Sequence, residues 1–177
     1  MKELKPQELS NLFWAFATVR SADNLEAFLP EVKLKADGLK TQGVSNIAWS
    51  CATLGIRDAD LFRMLAVRAC LQMADFTPQE LSNLIWSCAK AGTSQEELFQ
   101  SAANVLHSGL EGFTSHHLSQ LLWAFASCST SDVPVVRALS AEFLSKLQDA
   151  RPQGVANVLW SAATLGTADS ELVRSLA

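Results

Sequence analysis

Residues 6–16 read PQELSNLFWAF, and residues 78–88 read PQELSNLIWSC. Altered copies follow the same line: QGVSNIAWSC at 42–51, SHHLSQLLWAF at 115–125 and PQGVANVLWSA at 152–162. Each copy carries a tryptophan near its middle, namely Trp14, Trp49, Trp86, Trp123 and Trp160, at spacings of 35, 37, 37 and 37 residues. A fixed period between about 20 and 50 residues is the signature of a repeat architecture. The spacing predicts one array over residues 1–177, with units near 4–38, 39–75, 76–112, 113–149 and 150–177, the last one cut short.

The third unit shows how each copy folds. In FTPQELSNLIWSCAKAG, Thr77 precedes Pro78 and stands three residues before Glu80, which is a capping box with a proline at the first helical position. Gly92 ends the helix, as Gly55 and Gly166 do in units two and five. A second helix follows in SQEELFQSAANVLHSG, with Ser94 as its expected cap and Leu98, Ala102, Val105 and Leu106 as an apolar stripe; Gly109 and Gly112 close the unit. No segment alternates apolar and polar residues for long, so no sheet is expected. On a helical wheel of the first copy, Leu9, Leu12, Phe13 and Phe16 share the core face, Ser10 and Ala17 flank it, and Gln7, Asn11, Trp14 and Thr18 lie opposite. The fold expected is all-α: a right-handed α-solenoid of about five helix-turn-helix repeats of 35–37 residues, with the first helices on the concave wall. One hairpin cannot bury its apolar surface alone, whereas a stack shares a continuous core. The tryptophans are then expected to wedge between consecutive first helices and set the rotation of the repeats.

Composition narrows the function classes. The 177 residues are 49% hydrophobic and 18% charged, with 5 prolines, which indicates a folded chain. Formal net charge is −4, and this counts against strong non-specific binding of phosphates. Cys51, Cys70, Cys88 and Cys128 form no C-x-x-C and have no histidine at zinc spacing, so they read as small buried apolar residues in a reducing compartment. No apolar run reaches membrane-spanning length, and no targeting segment is visible. The chain stops inside the second helix of the last unit, which reads as an excerpt of a longer protein. No Ser/His/Asp set, paired carboxylates, phosphate-cradling glycine loop or metal constellation is present, so neither an enzyme nor a cofactor is expected.

The string FTPQELSNLIWSCAKAG resembles the octotricopeptide repeat, whose first helix carries a pattern like SPQELANLLWALAKLG. It is also similar to the repeats of sister families: those of apicomplexan and dinoflagellate organelle proteins, those upstream of RAP domains in FAST-kinase-like proteins, and those of RNA-editing substrate-binding complex proteins. The resemblance runs through every unit. It implies an α-solenoid that binds single-stranded RNA in a mitochondrion or chloroplast, in RNA stability, processing, editing or translation, within a ribonucleoprotein complex. The period here is 35 or 37 residues against a nominal length near 38.

RNA-reading solenoids commonly give one base to each repeat, through two or three side chains of the concave helix. Three rows of candidates recur. Three residues before the tryptophan stand Asn11, Asn46, Asn83, Gln120 and Asn157, whose amides offer both donor and acceptor to base edges; a ladder of amides linking adjacent helices would explain their constancy equally. Seven before it stand Gln7, Gln42, Gln79, His116 and Gln153, each followed by Glu8, Gly43, Glu80, His117 or Gly154 at the helix start. Four after it stand Thr18, Thr53, Lys90, Ser127 and Thr164, suited to phosphate or 2′-hydroxyl contacts or to an ordinary solvated helix end. Lys5, Lys40 and Arg151 share the entrance to the first helix, as a partial phosphate stripe interrupted by Thr77 and Thr114 or as a solvated face. The tryptophans have base stacking as their alternative role. A protein-interaction scaffold of armadillo or HEAT type is the alternative for the whole chain. It is favoured by the acidic balance, and no small-molecule substrate or membrane is expected in either case.

Overall fold

The protein is described by a computed structural model that covers residues 4–22, 24–93, 95–128 and 132–167. Among these it is all helical. Helices α1 (Pro6–Thr18), α3 (Thr41–Leu54), α5 (Pro78–Ala91), α7 (Ser115–Ser127) and α9 (Pro152–Leu165) pack side by side in chain order. Helices α2 (Leu29–Leu34), α4 (Ala59–Cys70), α6 (Glu96–Ser108) and α8 (Val133–Ser145) form the second layer, each touching the next. The second helix expected for the last repeat falls on residues outside the described ones.

Local chemistry sets the helix ends. Thr77 and Thr114 accept the backbone N–H three residues on, and the side chains of Glu80 and His117 accept the cap N–H in return. Gly55, Gly92 and Gly166, each six residues after a tryptophan, end their helices in the left-handed region, with φ of 77°, 71° and 65°. Arg20 stands at this position in the first repeat and takes φ of 54°, a conformation that disfavours a side chain. Ser94 lies outside the described residues, and the residue directly before α6 is Gln95.

The first repeat departs from the expected hairpin. Leu34 and Leu71 each precede the next tryptophan by 15 residues, yet 20 residues separate Trp14 from Leu34 and 22 separate Trp49 from Leu71. The shortening falls in the turn and second helix of repeat one. Pro30 also sits where Val67 sits inside α4, and proline inside a helix removes a hydrogen bond and clashes with the preceding turn. The segment therefore begins as a 3₁₀ turn, Leu25–Phe28, and only then continues as the short α2 with Pro30 in its first turn.

Burial shows how each first helix is shared between neighbours. Leu9, Ser10 and Phe13 are buried, and so are their counterparts Val44, Ser45, Ala48, Leu81, Ser82, Ile85, Leu118, Ser119 and Leu122. At the far end of the array the counterparts Val155 and Leu159 are only half-buried, and Ala156 is exposed. This face therefore looks toward the following repeat. Leu12 and Phe16 are half-buried in α1, whereas Ile47, Cys51, Leu84, Cys88, Leu121, Phe125, Val158 and Ala162 are buried in the later helices, so this second face looks back. The positions of Leu9, Leu12, Phe13 and Phe16, expected to form a single core stripe, thus become in the later helices two faces serving two neighbours. Cys51 and Cys88 are buried, with thiols pushed up to about 12 by loss of solvent, while Cys70 and Cys128 are half-exposed rather than buried as expected.

The two layers are also tied by polar links with the same period. Lys35 donates to the Leu4 carbonyl. Gln72 donates to the Leu39 carbonyl at 3.3 Å, where Arg68 also donates at 2.9 Å, and Lys146 donates to the Phe113 carbonyl at 2.6 Å. In each case the end of a second helix reaches the residue just before the cap of its own first helix. Between repeats, Lys33 pairs with Asp58 at 2.7 Å, and His107 stands 3.4 Å from Asp132 at the same register.

Candidate RNA-facing surface of the first helices

Five ridges cross the exposed side of the α1, α3, α5, α7 and α9 layer. Gln7, Gln42, Gln79, His116 and Gln153 are all exposed. Asn11 is exposed, and Asn46, Asn83, Gln120 and Asn157 are half-buried. Thr18, Thr53, Lys90, Ser127 and Thr164 are exposed. The three rows and the tryptophans share this surface because residues spaced −7, −3, 0 and +4 fall on one side of a helix.

The amides do not form a ladder between helices. Gln153 donates to Asn157 within α9 at 3.0 Å, and no amide of this row reaches a neighbouring helix among the described residues. The buried Gln120 Oε1 has no partner. Thr18, Ser127 and Thr164 turn back on the carbonyl of their own tryptophan at 2.8 Å, which leaves the oxygen lone pairs for an incoming donor.

The tryptophans divide into two groups. Trp86 and Trp123 have ring centroids 6.3 Å apart with planes tilted by 42°, and Trp123 and Trp160 are 6.4 Å apart with a tilt of 31°. These three join repeat to repeat on the surface, rather than as wedges sunk between helices. Trp14 and Trp49 have no ring partner among the described residues. Trp14 is 50% exposed and Trp160 is 47% exposed, while Trp49, Trp86 and Trp123 are half-buried. Spacing alone does not separate the groups, since Trp49 and Trp86 are also 37 residues apart.

Grooves open at the starts of these helices where glycine replaces a larger residue. Gly43 faces Ser10 of the preceding helix, and Gly154 faces Ser119; an added Cβ would lie 3.7 Å from the Ser10 Cβ and 3.4 Å from the Ser119 Oγ. Glu80 and His117 occupy this place in repeats three and four. The result is a groove of about 420 Å³ between α1 and α3 and one of about 790 Å³ between α7 and α9. Lys5 and Lys40 line the first, and Lys146, Asp149 and Arg151 the second. Lys5, Lys40 and Arg151 are the cations expected at the helix entrances, whereas Lys146 and the grooves themselves were not anticipated. The signal was present, because a basic cap residue and a glycine three positions later occur together in repeats two and five.

The chain matches the family of RNA-editing substrate-binding complex 6 proteins over residues 2–177. The chain belongs to that family. It is a family of organellar RNA-editing complexes, so the chain takes its place in RNA processing, with RNA and protein as its class of partners. Among curated proteins none matches the chain. Of the sister families resembled by the repeat, the match falls on the RNA-editing one. No described helix is long and apolar enough to cross a membrane, and no described group of three or more His, Cys, Asp or Glu side chains is placed to hold a metal.

His116 and His117 stand side by side, with ring centroids 6.2 Å apart. Burial holds both below the usual histidine range, with Arg151 adding to the effect on His116 and His116 adding to that on His117. The His117 Nδ1 accepts the Thr114 N–H at 3.3 Å, which requires a neutral ring. The unfolded chain takes up protons near pH 6.5 that the folded one refuses, so stability is full above that pH and falls as pH drops below it. The urea midpoint is expected to decrease between about pH 7 and pH 5.5. His117→Glu, which restores the residue found at Glu8 and Glu80, is expected to make that decrease shallower; an unchanged pH profile would remove His117 from the effect.

Proposed function

We propose that the chain holds single-stranded RNA along the exposed side of α1, α3, α5, α7 and α9, as a non-catalytic RNA-binding part of a mitochondrial editing complex. The observation that carries this reading is the ridge of amide (imidazole at His116), amide, indole and hydroxyl or ammonium groups. It recurs in five repeats on the one side of the helices that packing leaves free. Amides offer paired donors and acceptors to base edges, and indoles offer stacking surfaces that tolerate any base. Family membership supports the same reading, since the family takes its name from binding an editing substrate. A protein contact is the second reading, for the opposite layer. Leu34 and Leu71 are strongly exposed at the same repeat position, with Val67 exposed beside them in sequence.

Fluorescence anisotropy with a randomised single-stranded RNA pool, the matched DNA and duplex RNA tests it at two salt concentrations. Single-stranded RNA is expected to bind best. Gln79→Ala, Asn83→Ala and Lys90→Ala together are expected to weaken that binding about tenfold without unfolding the chain, because none of the three side chains is in the core. Absence of RNA binding at low salt would overturn the reading.

A further inference from the structure

The two grooves at the helix starts differ in a way that points to one of them. In the groove between α7 and α9, Lys146 is committed: it pairs with Glu142 at 2.7 Å and donates to the Phe113 carbonyl, and Asp149 lies on the same wall. In the groove between α1 and α3, Lys5 and Lys40 line the wall together with Gly38 and Gly43, and no acidic side chain does. Neither lysine has an ionic partner among the described residues. The Glu8 carboxylate accepts the backbone N–H of Lys5 at 2.7 Å. A lysine has no acceptor and caps nothing, whereas the threonines at the same positions of α5 and α7 do cap their helices. The substitution thus removes a stabilising group and places a cation beside a cavity, with no ionic partner among the described residues.

The same two helices carry the two tryptophans without ring partners among the described residues. Trp14 and Trp49 lie nine residues beyond Lys5 and Lys40, about 14 Å along the helix axis. Gln7, Asn11, Gln42 and Asn46 fill the distance on the same side. Cations at one end, unstacked aromatic surface at the other and amides between them are the parts of a site for single-stranded nucleic acid. The other repeats lack the combination: Trp86, Trp123 and Trp160 stack on one another, and α5 and α7 are capped by threonine.

We propose that α1 and α3 form the anchoring site for single-stranded RNA, with a backbone phosphate seated between Lys5 and Lys40 in the groove opened by Gly43 and bases laid against Trp14 and Trp49. This rests on the function proposed above and says where the strand is gripped most tightly.

The test uses the full chain and a fluorescein-labelled oligouridylate, titrated over a range of salt concentrations. Lys5→Thr with Lys40→Thr is expected to reduce affinity at least fivefold. It is also expected to lower the slope of log affinity against log salt by about 0.7 to 1, one phosphate contact on a single strand. Threonine already caps α5 and α7, so the double variant keeps its helices, which circular dichroism verifies. Trp14→Ala is expected to reduce affinity at least fivefold with the salt slope unchanged. Arg57→Thr with Arg137→Thr removes the same charge elsewhere and is expected to leave affinity within twofold. Oligouridylate binding that survives the lysine variant, or that falls equally with the arginine variant, overturns the anchoring site and leaves the RNA reading standing. Failure of the unaltered chain to bind RNA overturns both.

Discussion

Phe125→Ala is expected to lower stability by about 3–5 kcal/mol. Phe125 is fully buried in α7, and its ring meets that of Phe99 in α6 edge to face, with centroids 5.4 Å apart and planes at 80°. Truncation removes the largest side chain at that point of the core and leaves a space that the surrounding helices can only partly close. Total stabilities are typically about 5–15 kcal/mol, so the change takes a large share. Urea denaturation followed by the helical circular-dichroism signal measures it. A stack of repeats transmits such damage only through nearest neighbours. The transition is therefore expected to broaden, with α1 and α3 outlasting α7. A loss under about 1 kcal/mol would mean that α6 and α8 close over the gap.

Trp123→Ala is expected to cost about 3 kcal/mol, and Trp14→Ala about 1 kcal/mol or less. Both are tryptophans at the same repeat position, so intrinsic propensity does not separate them. Surroundings do. Trp123 is half-buried and touches Trp86 on one side and Trp160 on the other, and each aromatic pair adds about 0.5–1.5 kcal/mol beyond area burial. Trp14 is half exposed and has no ring neighbour among the described residues. Equal costs for the two substitutions, measured by the same urea titration, would show that the row of indoles contributes nothing to holding repeats together.

Much of the fold is legible in the residues because the signals there are local. A threonine before a proline, a glutamate three residues on and a glycine after the last turn specify where α5 begins and ends, whatever surrounds it. Repetition then reports the packing, since the same apolar positions recur. Three things were not legible. The division of the apolar positions in α3, with Val44 and Ala48 toward the following repeat and Ile47 and Cys51 toward the preceding one, depends on which helices flank it, and a wheel drawn for one helix cannot contain that. The weak second helix of repeat one needs Pro30 and a two-residue shortening to be read together. The grouping of the tryptophans depends on small rotations between repeats, to which sequence spacing is blind. On the surface, the polar rows were recognisable as solvent-facing from their spacing. The grooves were not, because a glycine in a helix start reads as weak helix propensity until its neighbour across the join is known.

The links from Lys35, Gln72 and Lys146 all end on backbone carbonyls, at Leu4, Leu39 and Phe113. A carbonyl is present whatever side chain its residue bears, so mutation of the acceptor residue leaves the link in place. The donor is freer still, since an ammonium and a carboxamide serve alike. These three hairpins therefore each carry a fastening of their own, independent of the side chain at the acceptor residue. A gene segment encoding one unit can be duplicated or exchanged whole and arrive already closed.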